Sequence, residues 1–246
     1  MDDLTWNADQ ATRYEDEHGR IDTPLTVRYL AELAAGKDVL ELGVGTGRLA
    51  IPLADKARSV LGVDNSAEML AAAGRKPLPA NLTLVQGDAA TWTAGRQFDL
   101  VLCLYNLLLH FTTQDDQLAV IRNAAAQLAP GGNLVVENLH PPLRALEEGE
   151  RITTLRLPGA GMAISTQRLD WKSMLLDQSV LYVGDGEHRV RQITQRMLMP
   201  SEQDLMARLA GLRLVNRMAN WRGTSWRADV NGPATSNVIS VYQRAD

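Results

Sequence analysis

The chain has 246 residues, of which 45% are hydrophobic and 22% charged, the composition of an ordinary globular protein with room for one sizeable core. A formal net charge of −4 gives no electrostatic reason to bind DNA or RNA, and no run approaches the roughly 20 apolar residues that a bilayer span needs. The acidic start Met1-Asp2-Asp3 lacks an apolar leader, and the only cysteine, Cys103, cannot close an internal disulfide, so the expectation is a cytoplasmic protein with no nucleic-acid or membrane partner.

Residues 1–36 read as helical and amphipathic, with Leu25, Val27, Leu30 and Leu33 spaced for one buried face, a start at Thr23-Pro24 and a stop at Gly36. Five apolar strand candidates follow, separated by helical patterns. They are Asp38–Leu42, Ser59–Val63, Leu82–Gln86, Phe98–Leu104 and Gly132–Asn138. Helices are expected through Ala54–Lys56, from a Ser66 cap through Ala73, and over Thr113–Leu128 with a stop at Pro130-Gly131-Gly132. Strands alternating with helices predict a parallel sheet covered on both faces.

From Arg151 to Met199 the pattern switches to apolar–polar alternation, and Gly184-Asp185-Gly186-Glu187 reads as a hairpin turn. That predicts a small antiparallel insertion after the fifth strand. A helix over Glu202–Leu209 capped by Ser201, and strands Leu212–Met218 and Asn237–Tyr242, complete the chain.

The chemistry concentrates at Glu41-Leu42-Gly43-Val44-Gly45-Thr46-Gly47-Arg48, where a strand runs through an acidic residue into three alternate glycines and then a helical pattern. Such a turn brings backbone amides against a nucleotide-like ligand. On its own it fits an NAD site equally well. Asp64 closes the second strand, where a carboxylate can accept both hydroxyls of an adenosine ribose, and a helix cap is the bland alternative. Asp88, in Gly87-Asp88-Ala89, closes the third and can accept from an adenine amino group, or simply form a turn. Met69 stands one turn beyond Asp64, where it can pack on adenine or in the core.

Together, Glu41 to Gly47, Val63-Asp64-Asn65-Ser66-Ala67-Glu68-Met69-Leu70, Gly87-Asp88-Ala89, Phe98-Asp99-Leu100-Val101 and Pro130-Gly131-Gly132 resemble class I S-adenosylmethionine-dependent methyltransferases over about Ala34 to Asn138. The resemblance implies an α/β, Rossmann-like fold with a seven-stranded, mostly parallel sheet whose last strand is antiparallel. It implies a single domain over 1–246, made of a helical lid (1–36), a cofactor-binding core (34–140), an antiparallel β insertion (141–200) and a C-terminal helix with strands (201–246). It also implies S-adenosyl-L-methionine as cofactor. Gly43, Gly45 and Gly47 would pass under the methionine portion, Glu41 would hold the turn or a ligand-side water, and Asp64 with Asn65 would take the ribose. Asp88, Ala89 and Met69 would meet the adenine and the Leu104 backbone the ligand's amino group. From its place before the core, Tyr14 can close over the cofactor or simply pack, and Arg20 can meet the cofactor carboxylate or simply stand exposed.

Ligand crevices in open α/β sheets lie beyond the carboxyl ends of the parallel strands. That rule makes Tyr105, Asn106, His110, Asn138, His140, Trp221 and Trp226 the candidates to bind an acceptor. His140 is the first candidate for a base, His110 the second, and Tyr14 a third catalytic candidate; a structural histidine is the bland alternative for each imidazole. No cysteine or histidine set stands at metal-ligand spacing. The expected activity is methyl transfer, mainly by positioning, to N or O of a small-molecule metabolite or natural product. Two other readings stay open: a methyltransferase-like binder with a non-transfer role or a reaction such as cyclisation, and an NAD(P)-dependent oxidoreductase. The sequence leaves a homo-oligomer open as well.

Overall fold

A computed structural model describes Ala11, Tyr14 and residues 23–140, 150–156, 161–184, 187–226 and 236–245, with only the backbone of His140, Glu187 and Ser236. Ala11 and Tyr14 are helical, and helix α1 spans Thr23–Ala34. Its buried stripe is Thr26, Leu30 and Ala34, with Leu25, Val27 and Leu33 half-buried beside it. A spacing of four selects that stripe, so the expected face is rotated slightly about the helix axis.

The parallel core alternates as predicted. Strands β1 (Asp38–Leu42), β2 (Ser59–Asp64), β3 (Leu82–Gln86), β4 (Phe98–Cys103) and β5 (Leu128–His140) are interleaved with α2 (Ala50–Leu53), α3 (Ala67–Gly74) and α4 (Gln114–Ala126). Helix α5 (Pro200–Leu209) precedes β10 (Leu212–Met218) and β11 (Ser236–Arg244), and the seven-stranded order is β10-β11-β5-β4-β1-β2-β3. β11 runs antiparallel between β5 and β10. The β1, β2, β4 and β5 contacts are parallel, so the carboxyl ends of these strands share one edge of the sheet.

Alternation along the central strands divides the core into two layers. Leu100 and Leu102 of β4 pack with Leu30, Ala34 and Leu53, whereas Val101 and Cys103 pack with Val120, Ile121 and Met206. Each large side chain so buried contributes about 1.5–3 kcal/mol. Cys103 is 1% exposed, and burial, helped by the charge of Glu41, pushes its thiol up to about 12.

Two helix starts follow their caps. Ser66 Oγ accepts from the Met69 amide at 3.1 Å, and Thr113 Oγ1 accepts from the Asp116 amide at 3.1 Å. The start of α5 differs from expectation: Met199 is the cap, Pro200 takes the first helical position and Ser201 lies inside the helix. Proline's fixed φ and missing N–H suit that position. α4 ends at Ala126, two residues early, and β5 begins at Leu128. Pro130-Gly131-Gly132 therefore lies within the strand, at a shift in the β4–β5 register between Phe98 and Leu100. α2 stops at Leu53, short of the expected end at Ala54–Lys56.

The insertion is a four-stranded antiparallel sheet of β6 (Glu150–Arg156), β7 (Met162–Asp170), β8 (Leu175–Gly184) and β9 (Glu187–Arg196), in that order. β8 and β9 pair through Gly184 and Glu187; Asp185 and Gly186 of the expected turn lie outside the described residues. Leu169 and Leu176 anchor the inner end of this sheet in the main core beside Met197 and Leu198. Fully buried Gln117 pins it: its amide donates to the carbonyls of Leu108 and Arg196, both at 3.0 Å, and accepts from Arg196 Nη1 at 2.6 Å. Arg196 in turn reaches Glu202 at 2.8 Å.

Gln117→Ala leaves two buried carbonyls and a guanidinium short of partners, a loss of about 1–3 kcal/mol. Urea unfolding is expected to show a lower midpoint at an unchanged slope.

Candidate active site

The turn after β1 is bolted to β2. The amides of Gly43 and Val44 both donate to the Val63 carbonyl, at 2.7 and 3.0 Å, and the Gly45 amide donates to Asp64 Oδ2 at 2.7 Å. This tight path sets φ at +73° for Gly43 and +54° for Gly45. A Cβ at Gly43 would stand 2.7 Å from Leu107 Cδ1, whereas one at Gly45 would meet no atom of the described residues within 4 Å beyond its own chain neighbours. The space over Gly45 is thus a cradle open to a ligand. Lys76 Nζ holds the same turn from behind by donating to the Thr46 carbonyl at 2.8 Å.

Among the described residues, Tyr14, Glu41, Gly43, Val44, Gly45, Arg48, Leu49, Leu104 and Tyr105 line a small cleft above this turn. Glu41 is 4% exposed, and its buried Oε2 has no hydrogen-bond partner among the described residues. Burial pushes its carboxyl up to about 8, opposed by nearby Arg48 and reinforced by Asp64. Asp64 is likewise raised by burial, while the amides of Ser66, Gly45 and Asn65 pull it back. Ser66 donates to Oδ1 at 2.9 Å and Gly45 to Oδ2, so backbone amides fix both carboxylate oxygens at the edge of the cleft.

Tyr14 meets the ring of Tyr105 edge to face at 6.1 Å, and the Arg48 guanidinium lies 4.9 Å from the Tyr105 centroid. Arg48 also donates to Thr23 Oγ1 at 2.7 Å, tying α1 to the cleft. Burial raises the Tyr14 phenol, with Tyr105 adding to the shift and Arg48 and Arg191 opposing it. His110 ends a 3₁₀ turn over Leu107–His110, where burial, reinforced by Arg191, lowers its imidazole to about 4. Arg191 of β9 therefore stands within electrostatic reach of both side chains and brings the insertion over this edge of the sheet.

Of the residues singled out from sequence, the cleft gathers Tyr14, Glu41, Gly43, Gly45, Leu104 and Tyr105, with Asp64 bonded to its floor. Met69 is 2% exposed and packs with Ala11, Ala72 and Tyr14. Gly47 carries φ +74° at the end of the turn, and Asn65 is exposed at the mouth of β2. Asp88 is exposed beyond β3 and accepts from the Ala90 amide at 2.7 Å, with Ala89 buried behind it.

Asn106 stands on the backbone turn after β4, while Asn138 and Trp221 are turned into the core, 2% and 5% exposed, bonded to Gln203 and Glu137. Trp226 is half-buried beyond the Met218–Ser225 bridge. The backbone of His140 closes β5 opposite Ser236, its side chain is not described, and Arg20 lies outside the described residues. Sequence reasoning passed over Arg48, Glu137 and Arg191. The first follows the glycine turn directly and the second is a carboxylate inside an apolar strand; Arg191 has no local signal, because its place depends on how the insertion folds back.

Comparison with known proteins agrees with this geometry. A family model described as a methyltransferase domain matches residues 39–132. The CcbJ methyltransferase from Streptomyces caelestis superimposes with a TM-score of 0.82 at 32% identity, over 92% of this chain and 95% of that one. A cypemycin N-terminal methyltransferase from Streptomyces sp is 28% identical over 194 residues, 78% of this chain and 79% of that protein. CalS10, an amino pentose methyltransferase from Micromonospora echinaspora with S-adenosylmethionine bound, shares the fold over the full length of both chains at a TM-score of 0.68 and 22% identity.

Glu41 holds a proton in the folded chain up to about pH 8 that an unfolded carboxyl releases in the ordinary carboxylate range. Its contribution to stability is therefore complete at acid pH and is lost as pH rises towards 8. Glu41→Gln is expected to melt progressively higher than the wild type from pH 5 to pH 8 in thermal scans. A gain of about 1 kcal/mol corresponds to roughly 2–4 °C in a chain of this size.

Proposed function

The chain belongs to the class I S-adenosylmethionine-dependent methyltransferases, and from that premise we propose that it methylates a nitrogen atom of a small natural product. The cleft fits the cofactor on three counts. Among the described residues nothing beyond its chain neighbours stands over Gly45, the Asp64 carboxylate at the edge of the cleft suits ribose hydroxyls, and Glu41 Oε2, without a partner among those residues, is a buried acceptor for an ammonium group or a ligand-side water. When bound, the cofactor supplies an electrophilic methyl group on a sulfonium.

The chain's own residues then have to orient the acceptor and keep its lone pair available. Orientation of this kind supplies up to about 7–11 kcal/mol in favourable intramolecular cases. The observation that carries the choice of nitrogen is the place of His110, at the end of the 3₁₀ turn that follows cleft-lining Leu104 and Tyr105, where burial lowers its imidazole to about 4. Such an imidazole accepts a hydrogen bond from an N–H and is a weak base for a hydroxyl. The Tyr14 phenol in the cleft lining is raised by burial and stays protonated. A neutral amine brings its own lone pair and needs neither group to remove a proton before attack. The name of one relative, an N-terminal methyltransferase, points the same way.

Calorimetric titration with S-adenosylhomocysteine, with NAD beside it, is expected to show micromolar binding of the former alone. A panel of small amines and phenols should then give turnover with amines; turnover confined to phenols would overturn the choice of nitrogen. Tight binding with no acceptor-dependent turnover would favour a non-transfer role. Gly45→Ala separates cradle from scaffold. The left-handed φ costs alanine about 1–2 kcal/mol of stability, whereas S-adenosylhomocysteine affinity should fall more than about tenfold, because the added methyl occupies ligand space.

A further inference from the structure

Glu137 is a carboxylate in the middle of the apolar run of β5, 3% exposed, and methyl transfer by orientation gives it no evident task. Three donors from distant parts of the chain converge on it. Trp221 Nε1 and Asn237 Nδ2 donate to Oε1 at 2.7 and 2.8 Å, and the Tyr105 amide donates to Oε2 at 3.1 Å. The Glu137 carbonyl also accepts from the Asn106 amide at 3.0 Å.

The segment it grips is strained. Tyr105 and Asn106 are consecutive non-glycine residues with φ of +51° and +68°, a conformation that L residues adopt only when their surroundings impose it. Asn106 reinforces the turn by accepting from the Leu139 amide at 2.5 Å. The outcome is visible in the cleft, where the Tyr105 ring is set against Tyr14 and the Arg48 guanidinium.

We propose that Glu137 is a positioning residue: through the Tyr105 amide it holds the post-β4 turn left-handed and so fixes the Tyr105 ring as a wall of the cofactor cleft. The inference rests on the reading of that cleft as the cofactor site. A carboxylate suits the task because it offers only acceptors to three donors. A glutamine has one carbonyl, so its NH₂ must face either the Tyr105 amide or the Trp221 and Asn237 pair, and one side of the clamp opens.

The test is a double-mutant cycle read by S-adenosylhomocysteine affinity, with Glu137→Gln, Tyr105→Ala and the double variant. Glu137→Gln is expected to weaken binding by about tenfold, the scale of one hydrogen bond to a charged group. In the Tyr105→Ala background the same change should cost less than about twofold, since the ring it positions is gone. Tyr242→Phe, which loosens the Gln203–Tyr242–Asp204 hydrogen bonds on the far side of the sheet, supplies the comparison for stability alone and should lower Tm without moving affinity. Unaltered affinity in folded Glu137→Gln, or equal losses in both backgrounds, would overturn the proposal.

Amide hydrogen exchange in the wild-type protein does not depend on the variants folding. The Tyr105 amide should be strongly protected, and exchange at the rate of an unstructured amide would also refute the clamp. A wild-type chain that binds no S-adenosylhomocysteine while that amide stays protected would instead remove the cofactor reading of the cleft, and the positioning role with it.

Discussion

The Val63 carbonyl accepts both the Gly43 and the Val44 amides, and the arrangement of the cleft depends on that double bond. It draws the chain leaving β1 against the end of β2 so closely that the turn must pass through left-handed conformations. The next amide, of Gly45, falls on Asp64, which fixes the carboxylate at the lip of the cradle. Glu41, two residues before the turn, is thereby left under the floor with one oxygen unpaired among the described residues. Parallel pairing of β1, β2, β4 and β5 brings the ends of all four strands to the same edge, so the post-β4 turn meets this floor from the other side.

Electrostatics then follow from burial. Glu41, Asp64 and Glu137 bring carboxyl groups to or beside a cleft whose wall holds the Arg48 guanidinium, and burial shifts all three upward, Glu41 to about 8. They differ in how they are satisfied. Glu137 is surrounded by donors and serves the scaffold. Asp64 is held by backbone amides at the edge of the cleft, and Glu41 Oε2 has no partner among the described residues. That gradation separates the group that shapes the cleft from the groups available to a ligand.

The parallel half of the fold was readable because its signals are local: apolar runs ending in Glu41, Asp64 and Asp88, caps at Ser66 and Thr113, and glycines where the chain turns. The family resemblance rested on the same residues. Boundaries drifted where a residue has two uses, as with Pro200, which starts a helix that Ser201 was expected to cap, and with Pro130-Gly131-Gly132, absorbed into a strand. The wall of the cleft was less legible. Arg48 stood inside a quoted motif without a role, Glu137 drew no notice within Val-Val-Glu-Asn, and Arg191 acquires its place only when the second sheet folds back. Trp221 and Asn138 show the converse: position after a strand end suggested exposure to a ligand, and side-chain hydrogen bonds turn both inward.

Cys103 sits at the end of β4, between the floor of the cleft and the helix-covered face, as the chain's only thiol. With its proton held to about pH 12 and its sulfur sealed from water, it is chemically silent while the central strands stay closed. Alkylation of this protein is therefore a clock: at neutral pH, with reagent in excess, its rate counts how often the middle of the sheet opens. A ligand that knits β1, β2 and β4 together at their carboxyl ends should slow that clock without touching the sulfur.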